Sequence, residues 1–184
     1  SAQQRLPVLM VIANQDFYYQ EYGDTRLSLE EAGFTVQVAA ATLTLTQPHA
    51  NSGQGAASGN VMPDLTLAQA NASNFSTIVF VGGWGASSYQ YGFSGTYSNS
   101  AYNGDPAVEL RVNELINDFT RQNKYIAALC HGVSVLAWAR IDTNNNGTID
   151  TGEVSPIAGR TVVAYAGSAP LSSVASATTT RWHV

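Results

Sequence analysis

Cysteine and lysine are almost missing from this chain of 184 residues: Cys130 and Lys124 stand alone among their kinds. A single cysteine excludes an internal disulfide framework and leaves a lone thiol that needs an explanation. One lysine and seven scattered arginines make no basic face on which a phosphate backbone can release its counterions, so nucleic acid is not an expected partner. Charge of either sign is sparse, at 11% of residues, and the formal balance is -5. No apolar run reaches the roughly 20 residues that cross a bilayer. The first such run, residues 6–13, ends at Asn14, and no membrane association is expected. The chain starts at Ser1 rather than Met, which is compatible with a signal peptide removed by processing. Apolar residues make up 45% of the sequence, enough to build one buried core and too many for a disordered chain.

Residues 6–13 (LPVLMVIA) read as a strand covered on both faces, as in a parallel sheet. A helix is expected over 21–32, with Gly33 as its C-terminal stop, and a second strand over 34–41. Residues 42–60, rich in Ser, Gln, Gly and Ala, read as a surface excursion without nameable chemistry. A third strand spans 76–81 and runs into Gly82-Gly83-Trp84-Gly85. The apolar spacing of Val108, Val112, Leu115, Ile116 and Phe119 predicts a helix over 108–122. A short strand follows over 125–129, then a helix over 131–141. Strands alternating with helices imply an α/β protein with a mostly parallel sheet.

The segment 126–132 (IAALCHG) is an apolar strand, a cysteine, a glycine and then a helix. That order is a nucleophile-elbow layout: the turn lifts Cys130 above the carboxyl end of the sheet, and Gly132 lets the helix pack close. A thiol facing the start of its own helix is expected to have a lowered pKa. The alternative is a buried, inert cysteine. Gly82 and Gly83 end another apolar strand, so their backbone N–H groups and that of His131 are candidates for an oxyanion hole. Glu21, at the start of the first helix, reaches the same sheet edge. If it touches the thiol it is expected to be protonated and to donate to sulfur. The alternative for Glu21 is a charge that favours the helix dipole.

These residues resemble the ThiJ/PfpI family, relatives of class I glutamine amidotransferase domains. The resemblance rests on residues 8–13 with Glu21, on Val61-Met62-Pro63-Asp64, on residues 79–85, and on the Ala-x-Cys-His-Gly block at 128–132. It implies a flavodoxin-like three-layer α/β sandwich with Cys130 as nucleophile, Glu21 as its carboxyl partner, and Gly83 and His131 as oxyanion donors. His131 is also a candidate general base in the peptidase-like branch. Residues 159–165 resemble the family's next strand, where Tyr165 fills a site-lining position. The activities implied are peptidase-like, glyoxalase-like and related chemistry on a small-molecule or peptide substrate, without an organic cofactor. Chaperone and redox-sensing roles also occur in the family. A homo-oligomer, a dimer, is expected. His49 and His183 read as surface residues.

Residues 142–153 fit a twelve-residue EF-hand loop at every position. Asp142, Asn144, Asn146 and Asp150 supply side-chain oxygens, Thr148 a carbonyl, and Glu153 the closing carboxylate, with Gly147 at the bend. Pro156 allows only a turn of exiting helix, so structural calcium is expected rather than a sensor. Calcium of modest affinity suits a secreted or periplasmic protein, with a cytoplasmic one as the alternative. The aromatic segment 84–102, with Trp84 first, reads equally as a pocket wall or as a self-packed loop, and Tyr18 and Tyr19 are candidates for the same wall. Residues 1–184 are read as one domain that lacks the family's closing strand and helix, which a second chain is expected to supply. The competing function is a non-catalytic, calcium-stabilised scaffold.

Overall fold

The structure, a computed structural model, describes residues 5–184. Its first strand, β1 (Val8–Val11), carries four buried residues in a row. It sits mid-sheet, with Met10 opposite Val38 on one side and Val79 on the other. Its side chains are buried on both faces of the sheet, which explains the unbroken apolar run. A short strand β2 (Gln15–Phe17) leads into helix α1 (Tyr19–Glu31). Strands β3 (Val36–Ala40), β4 (Gln47–Pro48), β5 (Leu65–Thr66) and β6 (Thr77–Phe80) follow. Helix α2 (Pro106–Arg121), strand β7 (Tyr125–Ala128), helix α3 (Val133–Trp138) and helix α4 (Thr180–His183) complete the set.

The main sheet is parallel throughout, in the order β5-β3-β1-β6-β7. The chain moves outward from β1 through β3 to β5, then returns to place β6 and β7 on the opposite side. The direction reverses between β1 and β6, and a crevice opens beyond their carboxyl ends. The α/β fold expected from the alternation is therefore present, as a parallel sheet with flanking helices. Its core holds Leu9, Met10, Ile12, Phe17, Ile78, Phe80, Leu115, Ile116 and Phe119, all essentially inaccessible. Each such side chain contributes about 1.5–3 kcal/mol on burial.

Helix α2 starts two residues earlier than its apolar spacing suggests. Pro106 opens it, and the Asp105 carboxylate caps it by accepting from Ala107 N at 2.7 Å. Its buried Asn113 and Asn117 hold the chain after α3: Asn113 Oδ1 accepts from Arg140 N, and Asn117 Oδ1 from Asp142 N, both at 2.8 Å.

Three expectations need correction. The helix expected over 131–141 is a 3-10 turn, Cys130–Gly132, followed by the six residues of α3, because Ala139 takes an extended conformation. Residues 159–165 form no strand. No backbone hydrogen bond pairs residues 161–165, and Val163 is 93% exposed. Without a layer to cover it, that segment has nothing to bury, and β7 remains an edge strand with Tyr125 80% exposed. Finally, part of the excursion at 42–60 is ordered by pairing. β4 forms a second, two-stranded parallel sheet with β2, and His49 N donates to Phe17 O at 2.9 Å.

Candidate active site at the carboxyl ends of β1, β6 and β7

The crevice contains a cavity of about 460 Å³. Glu21 and Cys130 face into it, with Gly83, Trp84, Tyr18 and Tyr165 around them. His49 and Asn51 complete the lining. A larger cavity of about 520 Å³ around Asn14, Thr42 and Asp105 holds neither a thiol nor a histidine.

Cys130 follows β7 and Leu129 with φ of +52°, in the left-handed region that non-glycine residues rarely occupy. Such strain costs on the order of 1–3 kcal/mol and persists only where the surroundings impose it. Here the 3-10 turn imposes it, and Gly132 N bonds back to Leu129 O at 2.7 Å. Glu21 lies in the first turn of α1, where one carboxylate oxygen accepts from Gly82 N at 2.8 Å. The thiol hydrogen-bonds to the same carboxylate. A Cβ on Gly82 would stand 2.6 Å from the Glu21 oxygen and 2.9 Å from Cys130 Cβ, so only glycine fits between them. Gly83 has φ of +89°, and a Cβ there would stand 2.4 Å from Asp16 O.

The charge balance differs from the expectation of an acidic thiol. Burial, the Glu21 charge and the thiol–carboxylate bond push Cys130 up to about 12. The backbone N–H groups of His131 and Gly83 act on the sulfur in the opposite direction and do not win. α3 is six residues long and enters through a 3-10 turn, so it adds little helix dipole to offset burial and the Glu21 charge. Burial also raises the Glu21 carboxyl, against the lowering effect of its bonds from Cys130 and Gly82. A thiol pushed that far up keeps its proton near neutrality and presents it to the Glu21 carboxyl, the reverse of a protonated Glu21 donating to a thiolate.

Two further assignments change. The Gly82 N–H is committed to Glu21, leaving Gly83 and His131 as the backbone donors beside the sulfur. The His131 ring does not line the cavity. It is wholly buried, with Nε2 2.8 Å from Ser87 Oγ and Nδ1 2.9 Å from Thr180 Oγ1. Burial and the neighbouring His183 push it down to about 3. A neutral ring with both nitrogens engaged is a clasp between the elbow and the C-terminal segment, not a base for Cys130.

His183 is likewise buried rather than superficial, inside a ring cluster with Phe93, Trp138 and Trp182. Its Nδ1 accepts from Trp138 Nε1, and burial pushes it down to about 4. Of the aromatic segment, Trp84 alone lines the Cys130 cavity. Tyr89, Tyr97 and Tyr102 are buried in self-packing, and Tyr19 packs on the core. Trp84 stacks edge-on against Tyr165 at 5.7 Å. His49 and Asn51 escape a sequence reading because the β2–β4 pairing that carries them to the site has no periodic signal.

In the loop at 142–153, Asp142 accepts from Gly147 N at 2.8 Å, and Asn146 Oδ1 accepts from Thr148 N at 2.9 Å. Asn144 and Asn146 donate their amides to Asp150, which lowers its pKa. Glu153 instead accepts from Thr143 N and Asp150 N, each at 2.8 Å. Among the described residues, no three His, Cys, Asp or Glu side chains cluster as metal ligands.

The fold and this crevice define the class: a parallel α/β protein with a cysteine on a strained turn at the sheet's switch point. No family model matches the chain, and no curated protein does. Solved structures do, and proteins of the ThiJ/PfpI and DJ-1 superfamily are among them. A ThiJ/PfpI domain protein of Brachyspira murdochii superposes with a TM-score of 0.58 at 23% identity, over 74% of this chain and 65% of that one. The Rapid Encystment Protein of Francisella tularensis gives 0.57 at 17% identity, over 78% and 65%. Oxidised DJ-1 of Toxoplasma gondii gives 0.51 at 20%, over 71% and 58%. These likenesses establish the fold. The chain spans less than two thirds of each of these three proteins.

Proposed function

We propose that the protein is an enzyme in which Cys130 attacks a carbonyl or amide carbon of a small-molecule or peptide substrate. One observation carries the reading: Cys130 is held at φ of +52° with its thiol on the Glu21 carboxylate, at the floor of a cavity. Because the thiol is not a standing thiolate, Glu21 acts as general base. It takes the sulfur's proton as the C–S bond forms and the carbonyl π pair moves onto oxygen. That oxygen meets the Gly83 and His131 N–H groups, donors of a kind worth about 100-fold to 1,000-fold each. The proton on Glu21 then passes to the leaving group. Hydrolysis of p-nitrophenyl acetate, turnover of methylglyoxal and cleavage of peptides, each compared with Cys130→Ser, test the reading. Unchanged rates in the variant for every substrate would overturn it.

The raised thiol pKa favours one rival, a non-catalytic scaffold whose cysteine stays protonated. Glu21→Gln separates the two, since only an enzyme loses turnover.

The proposal includes structural calcium in the 142–153 loop. Support comes from the Asp142 to Gly147 and Asn146 to Thr148 bonds, which shape the turn as a calcium loop requires. Glu153 would exchange its bonds from Thr143 N and Asp150 N for the ion, and Asn117 ties the loop to α2. A calcium-dependent rise in Tm that Glu153→Gln abolishes is the test. The open edge of β7 supports an assembled form in which a second chain adds a strand, checked by the mass in light scattering.

A further inference from the structure

Three histidines are present, and two are spent inside the core: His131 between Ser87 and Thr180, His183 against Trp138. His49 alone lines the Cys130 cavity. Its backbone is fixed on both sides, by the N–H bond to Phe17 O and by Ser52 Oγ donating to its carbonyl at 2.7 Å. The ring orientation carries the information. Asn51 N–H donates to His49 Nδ1 at 3.2 Å, so Nδ1 bears a lone pair. In the tautomer that accepts this bond, Nε2 carries the ring proton and is a donor.

Charge supplies the second half. Glu21 brings an acidic side chain into the cavity beside the protonated thiol. No lysine or arginine is among the described residues lining the cavity. An anionic substrate would meet that charge without a counter-ion, whereas a neutral carbonyl would meet donors. Tyr18, Trp84 and Tyr165 provide apolar walls. Resting on the proposed nucleophilic role of Cys130, we infer that the cavity selects an uncharged carbonyl substrate, and that His49 Nε2–H is the specificity-determining donor to one of its oxygens.

Alkylation of Cys130 tests this without knowledge of the substrate. Rates are measured at one pH with neutral iodoacetamide, anionic iodoacetate and allyl bromide, which has no hydrogen-bond acceptor. N-acetylcysteine, a thiol free in solution, is alkylated in parallel. Salt at 1 M shortens the Debye length to about 3 Å and removes the field of the whole protein. Ratios between reagents cancel the thiolate fraction. The ratio of iodoacetamide to iodoacetate rates should be about tenfold or more larger for the protein than for N-acetylcysteine. His49→Leu should slow iodoacetamide about tenfold relative to allyl bromide, while His49→Gln, which keeps an N–H at similar reach, should restore most of the rate. A reagent preference equal to that of N-acetylcysteine overturns the neutral-substrate assignment. An unchanged iodoacetamide to allyl bromide ratio in His49→Leu overturns the donor role. Should that variant not fold, the charge comparison on the native protein and the His49→Gln rates still decide. If Cys130 resists all three reagents, the nucleophile itself is refuted, an outcome distinct from indiscriminate alkylation.

Discussion

Replacing Glu21 by glutamine removes a negative charge and a proton acceptor while keeping the side-chain volume. The sulfur and the carboxylate oxygen are in hydrogen-bond contact. At about 4 Å and an effective dielectric of about 20, such a charge is worth about 4 kcal/mol, equivalent to about 3 pH units. The site opens to solvent on one side, so screening reduces the effect to about 1–2 units. Removing a neighbouring negative charge stabilises the thiolate, hence the thiol midpoint must fall from its value of about 12. The rate of iodoacetamide alkylation against pH reads that midpoint, with intact-mass detection at Cys130. Ester turnover at neutral pH should move the other way, falling about 100-fold to 10,000-fold as the general base is lost. A more acidic thiol that catalyses less well is the signature of Glu21 as acceptor. A midpoint that rises or stays fixed would refute it, and would favour a protonated Glu21 supporting a thiolate.

His131→Ala should cost about 3–4 kcal/mol, since it opens a cavity and strands the Ser87 and Thr180 hydroxyls; urea unfolding measures it. The same ring sets a pH dependence. Its folded pKa of about 3 lies below the ordinary value of 6.5, so the unfolded chain binds the extra proton and the stability is full above about pH 6.5. It is lost as pH falls from there toward 3, by up to about 1.4 kcal/mol per unit. Glu109, raised to about 7 by burial and by Asp105, pulls in the opposite sense, so the slope for the native protein minus that for His131→Gln isolates the histidine. Gly82→Ala should lower ester turnover more than Tm, because its Cβ displaces the Glu21 carboxylate; equal activity would show that the contact has slack. Calcium should raise the native Tm and leave that of Glu153→Gln unchanged, as scanning calorimetry would show.

Apolar runs located the strands well. β1 and β6 fall inside their expected segments because a strand buried on both faces leaves an unbroken apolar signature, and β7 falls inside its own although it is a half-exposed edge strand. The thiol, the carboxylate and the glycines were legible for a related reason: in a parallel sheet, the residues just past each strand gather at one edge. Side-chain direction was not legible. Whether His131 faces the thiol or the core depends on Ser87 and Thr180, which lie 44 and 49 residues away. His49 was hidden because a two-residue strand carries no period. The thiol pKa was misjudged because burial of Cys130 and the Glu21 charge outweigh the His131 and Gly83 N–H groups, and the depth of burial is set by tertiary packing rather than by the local motif.

Trapping the acyl-enzyme tests the central claim most directly. The protein is mixed with p-nitrophenyl acetate, quenched in acid within the first turnover, digested and sequenced by mass spectrometry. The account predicts one acetyl group per chain on Cys130, released with p-nitrophenolate in equal amount and absent from Cys130→Ser. An acetyl group that persists in Cys130→Ser, or none at Cys130 in the native protein, would contradict it.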